Sequence, residues 1–459
     1  MPFDNEFASY EPLRRILHNE KVNQLQSRMK IREEQDAFSG SKPQFFNIGD
    51  LNQETNLPSM ILSIDGSYQV VPVKNGYPGA EMGYITVASV LMRMDDIRNL
   101  EKKNFIDPKK FRKTEEATAF DSVFPGCNII IDDDTDPKAS FRRFLFEQFS
   151  QAFAFPDFES LLDTYEVLLQ RRIDEGIDSL PKSPLDCFDG KLPDMQISLG
   201  KYPCKETGEP LYSTDALRLH ELFNPKGTSG EMYGELMFVI ERLWLVNILR
   251  AFEKKNWLSV LKDVVFVLDG PLAVYSVSAW LVPLIRRELA RINALQKEKT
   301  GIDLMILGLE KSGQFVSHFN SIDIAENGSD EAFSNNTAFL LDDKYIKNNI
   351  VFSQSKKPYG RDTYFGRKFF FKTKNGYKLV PQIACFTNAQ QDIRTAYAEQ
   401  FPRLKDACLL LNELVSSRFS NSISPLIAAH AEAAIPLNLG GKMFEKVAEE
   451  IRKRGLLAP

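Results

Sequence analysis

The chain has 459 residues, of which 43% are hydrophobic and 26% are charged, and its net charge is −5. This composition is ordinary for a soluble globular protein with one large domain or two to three smaller ones, and no apolar run approaches the ~18 residues that span a bilayer. Because the net charge is negative, the protein as a whole does not attract polyanions. A polyanion would therefore have to be bound by a local basic patch.

The N-terminus and the cysteines both predict a cytoplasmic protein. Residues 1–6 are acidic and lack the apolar core of a signal peptide. The five cysteines include no CxxC pair, so they offer neither a zinc knuckle nor a disulfide framework. Scattered cysteines in odd number are typical of reduced thiols in a cytosol.

Residues 1–58 are predicted to form an N-terminal helical segment. A polar helix is expected over residues 11–34, because six apolar residues are spaced for one face. These residues are Leu13, Ile16, Leu17, Val22, Leu25 and Met29. The Ser-Gly-Ser-Lys-Pro run at 39–43 ends the helical pattern and leads to the first strands.

The first strand block places an acid between apolar runs. Residues 60–64 read as an apolar strand that stops at Asp65-Gly66, and two further β-rich runs follow over 68–73 and 83–91. The pattern predicts a strand, a turn and a strand, with the acid at the joint. The alternative is an Asx turn without a function.

Residues 95–227 carry weaker patterns. They predict a helix with a loop after residue 95, a strand over 124–131 and helices over 140–154 and 158–172. The acidic run at 132–137 lacks the ligand spacing of a calcium loop. We expect it to be a solvated loop.

A predicted capped helix start at 213–221 contains four charged or titratable residues, Asp215, Arg218, His220 and Glu221. These residues could act in catalysis or form ion pairs on a surface helix. The sequence favours neither alternative.

The helix predicted over residues 231–252 is apolar around most of its surface, so we expect it to be buried. Glu241 lies within that surface, because its helical neighbours are Met237, Phe238, Trp244 and Leu245. A carboxylate there costs several kcal/mol unless it is paired or bound to a metal. Arg242 or a neighbouring helix could satisfy it. Glu235 is the second candidate on this helix.

Asp269 ends a run of five apolar residues, 264–268, and is followed by Gly-Pro. The run predicts a strand buried on both faces in a mixed sheet, and ligand sites of open α/β sheets lie at such strand ends. Two acids presented by separate strands, Asp65 and Asp269, match the oxygen ligands that Mg²⁺ and Mn²⁺ prefer. We therefore predict a metal site.

A third apolar strand is expected over residues 302–309, followed by Glu310-Lys311-Ser312. Lys311 at this strand end could hold a phosphate or a nearby carboxylate. A solvated turn is the alternative.

Residues 356–378 form a basic patch with interleaved aromatic residues. Cations for the backbone and rings for the bases are features of single-strand binding. The candidate contacts within it are Tyr359, Arg361, Tyr364, Arg367 and Lys368. A strand hairpin with a solvated basic face explains the pattern equally well.

His430 belongs to a predicted helix over residues 424–434, with a serine N-cap and a proline in the first turn. It is expected to face the apolar residues Leu426, Ile427, Ala433 and Ala434. Taken alone, this position is more typical of a buried core histidine than of a ligand.

Taken together and in this order, the motifs resemble the NurA nuclease family. The segments that carry the resemblance are Ile64-Asp65-Gly66-Ser67, Glu241, Leu268-Asp269-Gly270-Pro271-Leu272, Glu310-Lys311-Ser312, Tyr359-Gly360-Arg361-Asp362-Thr363-Tyr364 and Ala429-His430-Ala431-Glu432. The resemblance predicts a nuclease domain over 59–459, with its core at 59–94 and 228–440 and an insertion at 95–227.

The resemblance implies an α/β fold with an RNase H-like mixed sheet flanked by helices. It also implies DNA as substrate, Mn²⁺ as the usual metal with Mg²⁺ as the alternative, a homodimer, and a hexameric HerA-type ATPase as partner in DNA end processing. The expected activity is exonucleolytic, with single-strand endonuclease activity as a second mode.

The resemblance also implies residue roles. The catalytic and metal-binding residues would be Asp65, Glu241, Asp269 and His430, with Glu235 competing for the place of Glu241. The DNA contacts would be Lys311 and the five residues of the basic patch given above. The competing hypothesis is a catalytically inactive DNA-binding or adaptor subunit of the motor. The presence of all three acids favours the enzyme.

Overall fold

The computed structural model describes residues 10–29, 44–73, 80–101, 116–176, 180–185, 193–324, 332–415 and 423–434. The chain divides into two units, Met1–Lys42 and Pro43–Pro459. The first unit contains helices α1 (Glu11–Leu17) and α2 (Glu20–Arg28). The single helix predicted over 11–34 is therefore interrupted at His18-Asn19, and the Asn19 side chain caps α2 by accepting from the Lys21 N–H.

The described residues of the second unit contain eleven strands: β1 (Gln44–Asn47), β2 (Met60–Pro72), β3 (Glu81–Arg93), β4 (Glu116–Pro125), β5 (Lys201–Pro203), β6 (Pro210–Tyr212), β7 (Val264–Asp269), β8 (Met305–Glu310), β9 (Thr337–Leu340), β10 (Gly366–Lys372) and β11 (Lys378–Ala384). Strands β5 and β6 pair with each other. The other nine form one sheet in the order β1-β9-β10-β11-β8-β7-β2-β3-β4. Strand β7 is parallel to β2 and β8, and the remaining neighbours are antiparallel.

Its helices, among the residues described, are α3 (Met94–Glu101), α4 (Pro137–Gln151), α5 (Leu161–Glu175), α6 (Gly230–Lys254), α7 (Val282–Thr300), α8 (Gln314–Ile322), α9 (Asp343–Tyr345), α10 (Asn388–Gln391), α11 (Leu404–Leu414) and α12 (Ser424–Ala433). In this part of the chain, every helix is too short or too polar to cross a bilayer.

The centre of the sheet is buried on both faces, as the apolar run in β7 predicts. Phe266 and Leu268 pack in the same core as α6, whereas Val265 and Val267 pack in the core beneath α11 and α12. Alternate residues of a strand point to opposite faces. Full burial of such side chains stabilises the fold by about 1.5–3 kcal/mol each.

Strand β2 differs from its prediction. It continues through Asp65 and Gly66 to Pro72, with Asp65 opposite Ala88 in β3, so the predicted turn at Asp65-Gly66 is wrong. The glycine serves a close approach instead. A Cβ atom on Gly66 would lie 2.6 Å from the Glu241 carboxylate of α6. The other predicted strand end is confirmed, because β7 stops at Asp269 and Gly270 has φ +81°.

The segment between β3 and α6 completes one edge of the sheet. The strand predicted over 124–131 is wrong, because β4 lies earlier in the sequence and its pairing with β3 ends at Pro125. Helices α4 and α5 confirm the two helices predicted there, with their ends shifted by a few residues. They contribute Phe141 and Tyr165 to the core around α6. The amphipathic pattern of residues 442–454 predicts a terminal helix, which lies outside the described residues.

Candidate metal centre and nucleic-acid interface

Two carboxylates meet where the parallel pairing of β2 with β7 ends. Ile64 in β2 is in register with Leu268 in β7, so Asp65 and Asp269 follow side by side. Both lie on the α12 face, because the side chains on that face alternate with Ile64 and Leu268, which pack against α6. Asp65 is only 3% exposed.

Helix α12 brings His430 to this pair. Its Nδ1 lies 3.0 Å from Asp65 Oδ2, although 365 positions separate the two residues in the chain. The hydrogen bond to Asp65 raises the pKa of His430. The expected core position of His430 is wrong: its side chain is 61% exposed, because α12 turns Leu426 and Ala429 toward the sheet instead.

The electrostatics of the pair favour a cation. Burial and the neighbouring Asp65 carboxylate raise the pKa of Asp269, against the opposing charge of Lys311. The Lys311 Nζ donates a hydrogen bond of 2.6 Å to Asp269 Oδ2. Two close carboxylates resist simultaneous ionisation unless positive charge compensates them.

The donor set suits a hard divalent metal. One ligand atom from each of Asp65, Asp269 and His430 lies within 4.8 Å of the other two. Ligands on opposite sides of Mg²⁺ are about 4.2 Å apart, so a small contraction would bring these atoms onto one ion. Carboxylate oxygens with an imidazole nitrogen are ligands that Mn²⁺ also accepts.

Glu241 approaches from the other face of the sheet. It is 2% exposed, and its carboxylate accepts a hydrogen bond from the Arg242 guanidinium. Arg242 also donates to the main-chain oxygens of Ala273 (3.1 Å) and Pro271 (2.8 Å). Burial lowers the pKa of Arg242 to about 10. The ion pair with Arg242 compensates the buried charge of Glu241, as expected if Arg242 is its partner.

A cavity of 540 Å³ joins these groups, and it is lined by Asp65, Glu241 and Asp269. Of the two candidate glutamates on α6, Glu241 lines the cavity and Glu235 is not among its lining residues. Gly66 is also part of the lining, so Glu241 reaches the cavity where β2 carries no side chain.

Glu310 is a further acid that lines this cavity. In the sequence it stands out only as part of the Lys-Ser element. Its Oε1 lies 2.6 Å from Lys368 Nζ and accepts a 2.8 Å hydrogen bond from Gln382. The available signal was its place at the end of β8, which matches that of Asp269 at the end of β7.

Three tyrosines form one wall of the cavity. The hydroxyl of Tyr364 lies 2.9 Å from that of Tyr275 and 3.2 Å from that of Tyr359. Lys368 donates to the Tyr364 hydroxyl at 3.1 Å, and its Nζ lies 3.7 Å from the ring centroid of Phe315. Burial lowers the pKa of Lys368. We call Tyr359, Tyr364 and Lys368 the tyrosine–lysine wall.

The basic patch is divided by the fold. The predicted hairpin exists as β10 and β11, but Arg367 and Lys368 in β10 are buried, so the basic face of the hairpin is not solvated. Arg367 donates to the main-chain oxygens of Leu341, Gln390, Asp392 and Thr395 at 2.6–3.4 Å. It therefore acts as a structural cross-link. Arg361 is exposed in the loop before the hairpin.

The polar residues around Asp215 do not belong to this cavity. Asp215 is buried and accepts two hydrogen bonds from Arg142, at 2.7 and 2.6 Å. Burial lowers the pKa of the neighbouring His220 to about 4. Arg218 pairs with Glu221 at 2.7 Å. Asp215 and His220 are buried in 3₁₀ turns, whereas the Arg218–Glu221 pair is partly exposed. None of these four residues lines the cavity described above.

Comparison with known proteins identifies a family and a similar solved structure. A family model described as the NurA domain matches residues 60–435, most of the chain. The crystal structure of the NurA nuclease from Sulfolobus solfataricus is similar, with 9% identity, 97% of each chain covered and a TM-score of 0.36. A search of curated proteins found no match.

Proposed function

Because this chain belongs to the NurA family, we propose that it is a metal-dependent deoxyribonuclease that hydrolyses phosphodiester bonds during DNA end processing. The observation that carries the proposal is the convergence of Asp65, Asp269 and His430 within 4.8 Å, where Asp65 and Asp269 also line a cavity with further charged groups. Digestion from DNA ends is the proposed main mode, with cleavage within single strands as a second.

Four residues would bind the metal and place it against the substrate. Asp65, Asp269 and His430 would supply ligand atoms, and Glu241 would complete the negative charge from the α6 side. A bound Mn²⁺, or Mg²⁺ in its place, would stabilise charge on the phosphoryl oxygens and lower the pKa of water. His430 is the exposed member, so it is suited to exchange protons with solvent.

The remaining residues would orient the strand. Lys311 lines the cavity and carries the charge that a phosphate needs. Tyr359 and Tyr364 present rings on which bases can stack, and Arg361 lies exposed beside them. Lys368 lies within the wall and would contribute positive charge toward a phosphate, although its ion pair with Glu310 offsets part of that charge. We assign Arg367 to the fold rather than to DNA, because both of its terminal nitrogens donate to main-chain oxygens.

Further parts of the proposal rest on family membership. We propose an RNase H-like core, supported by the antiparallel β2-β3-β4 group that continues into the parallel strands β7 and β8. We also propose a cytoplasmic homodimer that works with a HerA-type ATPase. The domain division at residue 58 and the insertion at 95–227 remain predictions from the sequence.

Cleavage of end-labelled single- and double-stranded DNA tests the proposal. The purified protein should degrade DNA with Mn²⁺ and not with EDTA, and Asp269→Asn should lose at least ~100-fold in rate. The matched control is Asp174→Asn, which removes an exposed carboxylate from α5. Full activity in Asp269→Asn would overturn the site. If the protein cleaves no DNA with any of the metals, either alone or with the ATPase, the result would instead support the adaptor hypothesis.

A further inference from the structure

A second cavity lies on the other side of the tyrosine–lysine wall. Its volume is 870 Å³, and Tyr359, Tyr364 and Lys368 line both this cavity and the one that contains Asp65 and Asp269. Besides the shared Lys368, five cationic residues and a single acid, Asp392, line it. The cationic residues are Arg286, Lys356, Arg361, Arg367 and Arg394. We call it the basic cavity.

Three cations of the basic cavity have no carboxylate partner among the described residues. Lys368 pairs with Glu310, and Arg394 pairs with Asp392 at 2.7 Å. The Arg367 guanidinium is bonded to main-chain oxygens. Arg286, Lys356 and Arg361 are left without an ion pair in the part of the chain that the structure describes. The cavity therefore carries uncompensated positive charge.

Arg286 is held in position rather than free to move. It donates to Gln391 Oε1 at 3.0 Å and to the main-chain oxygens of Arg361 (2.9 Å) and Tyr364 (2.7 Å). Its Nε is buried and has no hydrogen-bond partner. Arg286 is half-buried, and a partly buried cation with an unused donor is an incomplete site, because burial of charge is costly unless an anion compensates it.

We propose that the basic cavity is a phosphate-binding subsite, which takes a phosphate of the same DNA strand beyond the scissile bond. The identity of this ligand rests on the proposed nuclease function. A strand that leaves the Asp65–Asp269 cavity would stack a base on the wall and place its next phosphates near Lys356 and Arg361, with Arg286 behind them. A free nucleotide offers the same chemistry and is the other source of the phosphate.

Two neighbouring lysines make a matched test. Lys356 lines the basic cavity, whereas Lys357 does not line it and pairs with Asp362. Lys356→Gln and Lys357→Gln therefore remove the same charge one residue apart. Arg361→Gln is the second cavity variant, and it keeps the main-chain oxygen that accepts from Arg286.

Binding is measured with a fluorescent single-stranded oligonucleotide in EDTA, between about 50 and 200 mM salt. Each cavity variant should weaken binding and reduce the slope of log K against log salt by about 0.7, the value for one phosphate contact on a single strand. Lys357→Gln should keep the slope of the natural protein. Equal effects of Lys356→Gln and Lys357→Gln, or no effect of either cavity variant, would overturn the proposal.

Deoxyadenosine monophosphate distinguishes the two sources. If the strand is the ligand, the nucleotide should leave the melting temperature unchanged while the cavity variants still weaken oligonucleotide binding. A thermal shift that is lost in Lys356→Gln, with unchanged oligonucleotide binding, would assign a free nucleotide to the subsite. Neither readout depends on cleavage, so an inactive protein that shows the strand effect would overturn only the nuclease proposal.

Discussion

Asp65 and Gly66 are adjacent in one strand and contribute to the centre from opposite faces. Asp65 points to His430 on α12, and Gly66 leaves space for Glu241 on α6. The site therefore lies where the parallel pairing of β2 with β7 ends, and helices on both faces of the sheet reach it. This arrangement explains why an Asp-Gly pair is needed where no turn exists.

Gly66→Ala should disturb the approach of α6. The added Cβ would lie 2.6 Å from Glu241 Oε1 and 2.8 Å from Met237 Cγ, and overpacking of this kind costs about 1–3 kcal/mol. We expect reduced cleavage and lower stability in urea unfolding. Gly234→Ala is the control, because its Cβ would meet Tyr68 at an ordinary 3.4 Å. Equal stability of both variants would contradict the close contact.

Arg242 holds Glu241 and the turn after β7 together. Arg242→Met should destabilise the protein by about 3–5 kcal/mol, because it leaves a buried carboxylate without its partner. The double variant Glu241→Gln/Arg242→Met should recover part of that loss, since no buried charge remains. Urea unfolding of the two single variants and the double variant measures the coupling. A loss below about 1 kcal/mol in Arg242→Met would contradict the pairing.

At the scale of elements, Glu288 of α7 links α5, α6 and α7. It is fully buried and pairs with Arg171 (2.6 Å), Arg250 (2.6 Å) and Arg291 (2.9 Å). Burial alone would raise the pKa of Glu288, but the arginines outweigh it and lower the pKa to about 2. The helix layer on the α6 face is therefore stabilised by an ionised carboxylate.

The sign of the pH dependence follows from this lowered pKa. The stabilisation is present above the unfolded pKa of 4.5 and is lost as the pH falls toward about 2. At about 1.4 kcal/mol per pKa unit, it amounts to about 3 kcal/mol. The difference in unfolding free energy between the natural protein and Glu288→Gln should therefore narrow by about 1 kcal/mol between pH 7 and about pH 3.5. A pH-independent difference would contradict the ion-pair assignment.

The elements also show which sequence patterns were informative. Helix α6 was predictable because its apolar residues surround it, and β7 was predictable because a buried β-rich run ends at Asp269. The sequence did not show which residues of the basic patch are exposed, because composition along the chain does not show which faces of β10 are buried. Arg367 and Lys368 are adjacent in sequence, yet one holds main-chain oxygens and the other lies in the wall.

At the scale of the molecule, the centre is assembled from four elements that are distant in sequence. Asp65 and His430 are 365 positions apart, and the exposure of His430 depends on how α12 lies on the sheet. Local patterns could therefore identify the individual acids but not the contact between them. The ordered resemblance to a family supplied what the local patterns lacked. Glu310 was missed, although its place at the end of β8 matches that of Asp269 at the end of β7.

The whole molecule is acidic, yet its two neighbouring cavities differ in charge. The cavity at Asp65 and Asp269 is suited to a cation, and the basic cavity is suited to phosphates. A single strand that crosses the wall would meet both. The proposed metal ligands and the proposed phosphate-binding residues thus line different cavities, and the two proposals can be tested independently.

Binding of Mn²⁺ is the most direct test of the central claim, because it depends on the ligands and not on DNA or an ATPase. The free Mn²⁺ signal in electron paramagnetic resonance should fall when the natural protein is added. Asp65→Asn and Asp269→Asn should each weaken the affinity at least about tenfold, while Asp174→Asn should match the natural protein. Equal Mn²⁺ affinity in all four proteins would contradict a metal centre at Asp65, Asp269 and His430.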